Sequence, residues 1–320
     1  MSAATQLFDR TAVPARPVRP AVLPRPQPND PLDHVTGLVE TQPYQDLDVT
    51  FDRHDRIIWC DFRFHGRPCF TERMLTDFAH VRFAAKRAYA ELPGLRNPIR
   101  YVVLSSRTPG VWNLGGDLNL FAELIRQRDR ERLLDYAYAA AESGYHYTAS
   151  FGLPLTTVSI VQGDALGGGF EAALSSNLIV AERSARFGLP EILFNMFPGM
   201  GAYSFLARRI GPGLAERMIT SGSIYTAEEL YEMGVVDVLA EDGGGRDAFY
   251  DHIGRGEGRH AAHRAIFEAR RIVNPVTIEE MHAIARVWTD LAMQLEDADL
   301  RKMGRLVAAQ DRRRARLVSA

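Results

Sequence analysis

Two cysteines, Cys60 and Cys69, are all that the 320 residues contain. With no His or further Cys beside them at zinc-ligand spacing, neither a disulfide framework nor a metal site organises this chain, and both read as reduced thiols. No apolar run approaches the ~20 residues that span a bilayer, and the N-terminus lacks the charged-then-apolar pattern of a signal peptide. A cytoplasmic location is the expectation. Excess charge of one sign is missing too: 38 basic against 40 acidic side chains leaves a formal −2. That balance argues against a nucleic-acid surface or an electrostatic membrane face. There is no internal repeat. What is present is an apolar fraction of 46%, enough for a globular protein with a substantial core.

The first forty residues carry Pro14, Pro17, Pro20, Pro24, Pro26, Pro28 and Pro31 without a sustained apolar period. They are expected to form a flexible or surface-draped arm, residues 1–40, with folded structure starting at Tyr44. From there strand patterns at Leu47–Phe51, Ile57–Phe62, Tyr101–Leu104, Thr156–Val161 and Leu178–Val180 alternate with helical ones, including Thr71–Glu91 and a helix capped by Asp117. The alternation predicts an α/β core over residues 41–260. Helical periodicity in Ile278–Leu295 and Leu300–Arg314 predicts an α-helical C-terminal region, residues 261–320.

The glycine run Gly167-Gly168-Gly169 has neither the Lys-Ser/Thr ending of a phosphate loop nor the spacing of a dinucleotide fingerprint. Glycines at a helix start let backbone N–H groups approach a ligand closely, and those groups suit an oxygen that becomes negative. Gly168 N–H is therefore a candidate oxyanion donor, and Glu171, three residues on, shares its helix face. Twenty residues further, Pro190-Glu191 precedes the apolar run Ile192–Phe197, where an inward carboxylate would be partly desolvated. Each feature alone has a plain structural explanation: tight strand–helix packing for the glycines, and a carboxylate at a helix N-terminus for Glu191.

Taken in order, Trp112-Asn-Leu-Gly-Gly-Asp-Leu118, Gln162-Gly-Asp-Ala-Leu-Gly-Gly-Gly-Phe-Glu171, Phe187-Gly-Leu-Pro-Glu191 and Phe197-Pro-Gly-Met-Gly201 resemble the motif series of the crotonase (enoyl-CoA hydratase/isomerase) superfamily. The resemblance runs from about Tyr44 to Leu239. It implies the ClpP/crotonase-like spiral of ββα units with an α-helical C-terminal part. It further implies Glu171 and Glu191 as the catalytic pair, and Leu114 and Gly168 as backbone oxyanion donors. Gly115, Gly116 and Gly167 then join the substrate-binding loops. Here Leu114 and Gly115-Gly116 replace the usual Ala-Gly-Ala, a change that backbone donors tolerate.

Arg67-Pro-Cys-Phe70, Asn113–Leu118 and Leu193–Tyr203 are similar to one branch, the diffusible-signal-factor (DSF) synthases, which make cis-2-unsaturated fatty acid signals. That likeness implies dehydration of a 3-hydroxyacyl thioester, carried on acyl carrier protein or CoA, followed by thioester hydrolysis. Met200, Trp288 and Leu306 match its acyl-pocket positions, although each side chain also suits an ordinary core. No cofactor is implied, and a homo-oligomer, trimer or hexamer, is. Two rival readings use the same residues: a trans-2-enoyl-CoA hydratase of fatty acid catabolism, and a crotonase-fold binding protein that engages a regulatory protein partner through the Pro-rich arm. His146 and the run Arg312-Arg-Arg314 with Arg316 read as structural or solvated.

Overall fold

Strands form where β-branched and aromatic residues cluster, and a computed structural model of the chain describes residues 30–255 and 259–319, with the side chains of 255 and 314–319 left outside. The prolines before residue 30, and the side chains of Arg314 and Arg316, lie outside the described residues. The strands are β1 (Leu47–Asp52), β2 (Ile57–Phe62), β3 (Tyr101–Ser106), β4 (Val111–Asn113), β5 (Thr156–Val161), β6 (Asp164–Leu166), β7 (Leu178–Glu182), β8 (Arg186–Gly188), β9 (Ile224–Thr226) and β10 (Val238–Ala240). The helices are α1 (Pro31–Glu40), α2 (Glu72–Glu91), α3 (Leu118–Gln127), α4 (Arg130–Thr148), α5 (Gly168–Ser175), α6 (Ala202–Ile210), α7 (Pro212–Ser221), α8 (Ala227–Glu232), α9 (Gly245–Arg255), α10 (His260–Val273), α11 (Ile278–Ala292) and α12 (Asp297–Ser319).

Two sheets share these strands. The larger has the order β1-β2-β3-β5-β7-β10 and the smaller β4-β6-β8-β9. Along the chain, β3, β5 and β7 enter the large sheet, and each is followed by a short strand, β4, β6 or β8, that crosses into the small one. A helix or helical turn closes each step, so the chain winds as a spiral of ββα units. From β2 through β10 the large sheet is parallel. Every residue of β2, β3, β5 and β7 is buried, as continuous apolar strands covered on both faces should be.

Local signals set the boundaries. Thr71 accepts a hydrogen bond from Met74 N and starts α2, while Asp117 accepts from Asn119 N and Leu120 N and starts α3. The expected arm, however, is too long at its C-terminal end. Residues 31–40 form α1, which packs on α2 and β1. Its Val35, Leu38 and Val39 repeat at helical spacing and are buried, and Pro31 stands at the first helical position, where its missing N–H costs nothing. Among the described residues, regular structure therefore already begins at Pro31, ahead of Tyr44. In the C-terminal region α11 lies along α4, and α12 crosses α3 and the 3-10 turn Pro190–Phe194.

Candidate active site

Backbone geometry brings two loops of the chain face to face. The first joins β4 to α3, the second joins β6 to α5. Gly115 has φ +92°, and a Cβ built on it would lie 2.8 Å from Leu166 O and 2.9 Å from Gly168 N. Only a residue without a side chain, in a left-handed conformation, lets the loops meet this closely. Gly168 opens α5, so its N–H has no intrahelical acceptor.

The expected donor of the first loop is corrected. Leu114 N–H is committed to Pro68 O at 2.7 Å, and Gly115 N–H to Asn113 Oδ1 at 2.8 Å. The next amide, Gly116 N, has no acceptor among the described residues and lies 3.4 Å from where a Cβ on Gly168 would sit. The two amides presented together are those of Gly116 and Gly168. Sequence reasoning chose Leu114 because a motif does not disclose that Pro68 passes beside it.

Glu171, on α5, is 2% exposed. Its Oε1 accepts from Met200 N at 2.8 Å and Ala202 N at 2.9 Å, at the start of α6. Burial pushes its carboxyl up to about 7, against the pull of the Ala202, Met200 and Gly201 N–H groups. Glu191 sits in the 3-10 turn, and its Oε1 lies 2.6 Å from where a Cβ on Gly167 would be. Its Oε2 is shut away without a hydrogen-bond partner. Burial, and next the Glu171 charge, push this carboxyl well above the usual range. The apolar run after it is only partly inward: Ile192 and Leu193 are 42% and 55% exposed, whereas Phe194 and Met196 are buried. Desolvation of Glu191 comes from the cavity wall and the glycine loop instead.

Both glutamates line one cavity together with Leu114, Gly116, Gly167, Gly168, Met200, Trp288 and Leu306. Of the expected site residues only Gly115 is not in the lining, where it acts as the packing contact described above. Sequence reasoning missed much of the apolar wall, namely Phe121 and Ile125 of α3, Tyr136 of α4, and Leu295. The amphipathic stripe of α3 was the available signal. It also missed Met303 and Gln310 of α12. Arg67 donates to Gln310 Oε1, and Arg313 Nε and Nη2 donate to Asp164 Oδ2 and Oδ1 at 2.5 and 2.9 Å, so α12 is tied to the start of β6.

His146 stands apart from the cavity, in a groove between α2 and α4, and burial, then Arg82 and Lys86, push its imidazole down to about 4. Cys60 and Cys69 are buried and unbridged.

The spiral of ββα units is the fold of solved enoyl-CoA hydratases and isomerases. The enoyl-CoA hydratase/isomerase family model matches residues 90–243. Among curated relatives, 2,3-dehydroadipyl-CoA hydratase of Escherichia coli is 43% identical over 94 residues, 29% of this chain and 36% of that protein. This chain spans less than half the length of the curated relatives it matches. Human mitochondrial delta3-delta2-enoyl-CoA isomerase superposes with a TM-score of 0.69 at 17% identity, covering 84% of this chain and 99% of that one. Pseudomonas aeruginosa DspI superposes with a TM-score of 0.58 at 24% identity, covering 72% and 89%.

Proposed function

We propose that this protein dehydrates a 3-hydroxyacyl thioester to the cis-2-enoyl thioester and hydrolyses it, releasing a cis-2-unsaturated fatty acid of the DSF type. The observation that carries the acyl-thioester part is the meeting of two unused backbone N–H groups, Gly116 and Gly168, with two desolvated carboxyls in one apolar cavity. The thioester carbonyl oxygen sits between those amides, which stabilise the negative charge that builds on it when C2 loses its proton. Environment divides the acid and base roles. Glu171, held by backbone N–H groups, is the carboxylate that takes the C2 proton. Glu191, whose Oε2 has no donor to stabilise a charge, is the carboxyl that protonates the departing C3 hydroxyl. In hydrolysis a carboxylate of the pair activates water against the same polarised carbonyl.

The cis-2-enoic product rests on the likeness of Arg67–Phe70, Asn113–Leu118 and Leu193–Tyr203 to the DSF-synthase branch. The apolar wall of Phe121, Met200, Trp288, Leu295, Met303 and Leu306 suits an alkyl chain. A second reading, hydration of a trans-2-enoyl-CoA, is favoured by the 43% identity to the E. coli hydratase and uses the same four groups.

Thiol release and substrate loss, followed with the purified protein and its variants, test the mechanism. Glu171→Gln and Glu191→Gln should each lower turnover by about a hundredfold or more. Near-normal turnover by both would sink it.

A further inference from the structure

We propose that the outer face of α12 is the docking surface for an acidic carrier protein that presents the acyl thioester, an inference that rests on the acyl-thioester reading above.

α12 has two unlike faces. Met303, Leu306 and Gln310, at spacings of three and four, line the cavity. At about 100° per residue, Arg301, Arg305 and Arg312 fall within about 40° of one another on the opposite side. All three are exposed, and none has a hydrogen bond or ion pair among the described residues. Some exposed arginines elsewhere find carboxylates, as Arg87 does with Glu91, Arg130 with Asp290, and Arg183 with Glu228 and Glu241. Among the described residues of α12 the acidic side chain on this face is Asp297, one turn before Arg301, and from Arg301 onward Gly304 and Ala308 beside the arginines are small and exposed, so another surface can come close to the guanidinium groups.

The stripe has a fixed place relative to the cavity. Asp164, 4% exposed at the start of β6, holds Arg313 through both carboxylate oxygens, and Arg67 holds Gln310. A partner seated on the arginines is therefore held one helix diameter from the cavity lining, about 10 Å. The shape of the stripe decides between carriers. Arg312 lies eleven residues beyond Arg301 along the helix, about 16 Å, and three cations drawn out in a line match carboxylates spread along a protein surface. The phosphates of a nucleotide carrier form a compact cluster and would call for converging cations. Such a surface acts mainly on the rate of encounter and on salt dependence.

The test is the triple variant Arg301→Glu, Arg305→Glu, Arg312→Glu, assayed beside the wild type with one acyl group on an acyl carrier protein and on CoA, at low and high salt, after its melting temperature has been matched to the wild type. The expected result is a fall of about tenfold or more in kcat/KM for the carrier-protein substrate at low salt, with the CoA substrate changed by less than about twofold. Raising salt should slow the wild type on the carrier-protein substrate alone. Unchanged kinetics on the carrier protein would overturn the proposal. So would an equal loss on both substrates, which would assign the stripe to CoA phosphates or to the cavity wall. A wild type that turns over only the CoA thioester overturns it as well. A wild type inactive on every thioester instead removes the reading beneath it, an outcome distinct from these.

Discussion

The α-carbon of Gly115 rests against the amide of Gly168, close enough that a Cβ on Gly115 would lie 2.9 Å from that nitrogen. Gly115 does not line the cavity, yet it fixes the separation of the two loops that present Gly116 N–H and Gly168 N–H. Gly115→Ala should cut kcat by about a hundredfold, the scale of losing one oxyanion donor, while far-UV circular dichroism stays native. Wild-type turnover by this variant would show that the amides are not used together.

The acidic pair sets a pH dependence. Glu171 must be charged, and burial raises it to about 7; Glu191 must be protonated, and burial with the Glu171 charge raises it further. Log kcat/KM should therefore rise with about unit slope up to neutral pH, reach a plateau and fall again at alkaline pH. Glu191→Gln should lose the alkaline limb in whatever activity remains. A profile flat from pH 5 to 9, taken as about two units either side of neutrality, would remove the pair from the rate law.

The same shifts act on stability, with the opposite sign to an ion-paired carboxylate. Both groups hold protons more tightly folded than unfolded, so the native state binds more protons. Their contribution is intact below the unfolded glutamate value of about 4.3 and is lost as pH rises towards the folded values. Glu191→Gln removes the buried acid and should melt higher than the wild type at alkaline pH, by about 2 °C or more. The advantage should shrink towards acid pH, which calorimetry across the range would resolve.

Asp164 and Arg313 form a pair whose carboxylate is buried and whose guanidinium is half exposed. Arg313→Gln leaves the carboxylate without its cation, and solvent at the guanidinium side moderates the cost. The variant should melt about 2–4 °C lower. Adding Asp164→Asn should recover part of the loss in a double-mutant cycle. Additive losses would mean that the two side chains do not support each other.

Where signals were local, the sequence was legible. Strand and helix runs such as Ile57–Phe62, Thr156–Val161 and the helix after Thr71 coincide with β2, β5 and α2, because burial of whole parallel strands and a Thr cap leave direct marks in residue order. Glu171, Glu191 and Gly168 come together in the cavity as their motifs imply. α1 was hidden because its three buried residues follow seven prolines and contact α2, distant in the chain. The choice of Leu114 over Gly116 failed because hydrogen-bond commitment to Pro68 is a tertiary fact. That α12 reaches the cavity was implied through Leu306, whereas the tie between Arg67 and Gln310 that fastens it was illegible, since those residues are 243 apart in the chain.

The central claim is tested most directly by mass spectrometry with analysis of double-bond geometry, after the purified protein meets 3-hydroxyacyl thioesters of several chain lengths on carrier protein and on CoA. The account predicts free cis-2-enoic acid. Reversible formation of trans-2-enoyl thioester with no acid released would contradict it and make the protein a hydratase.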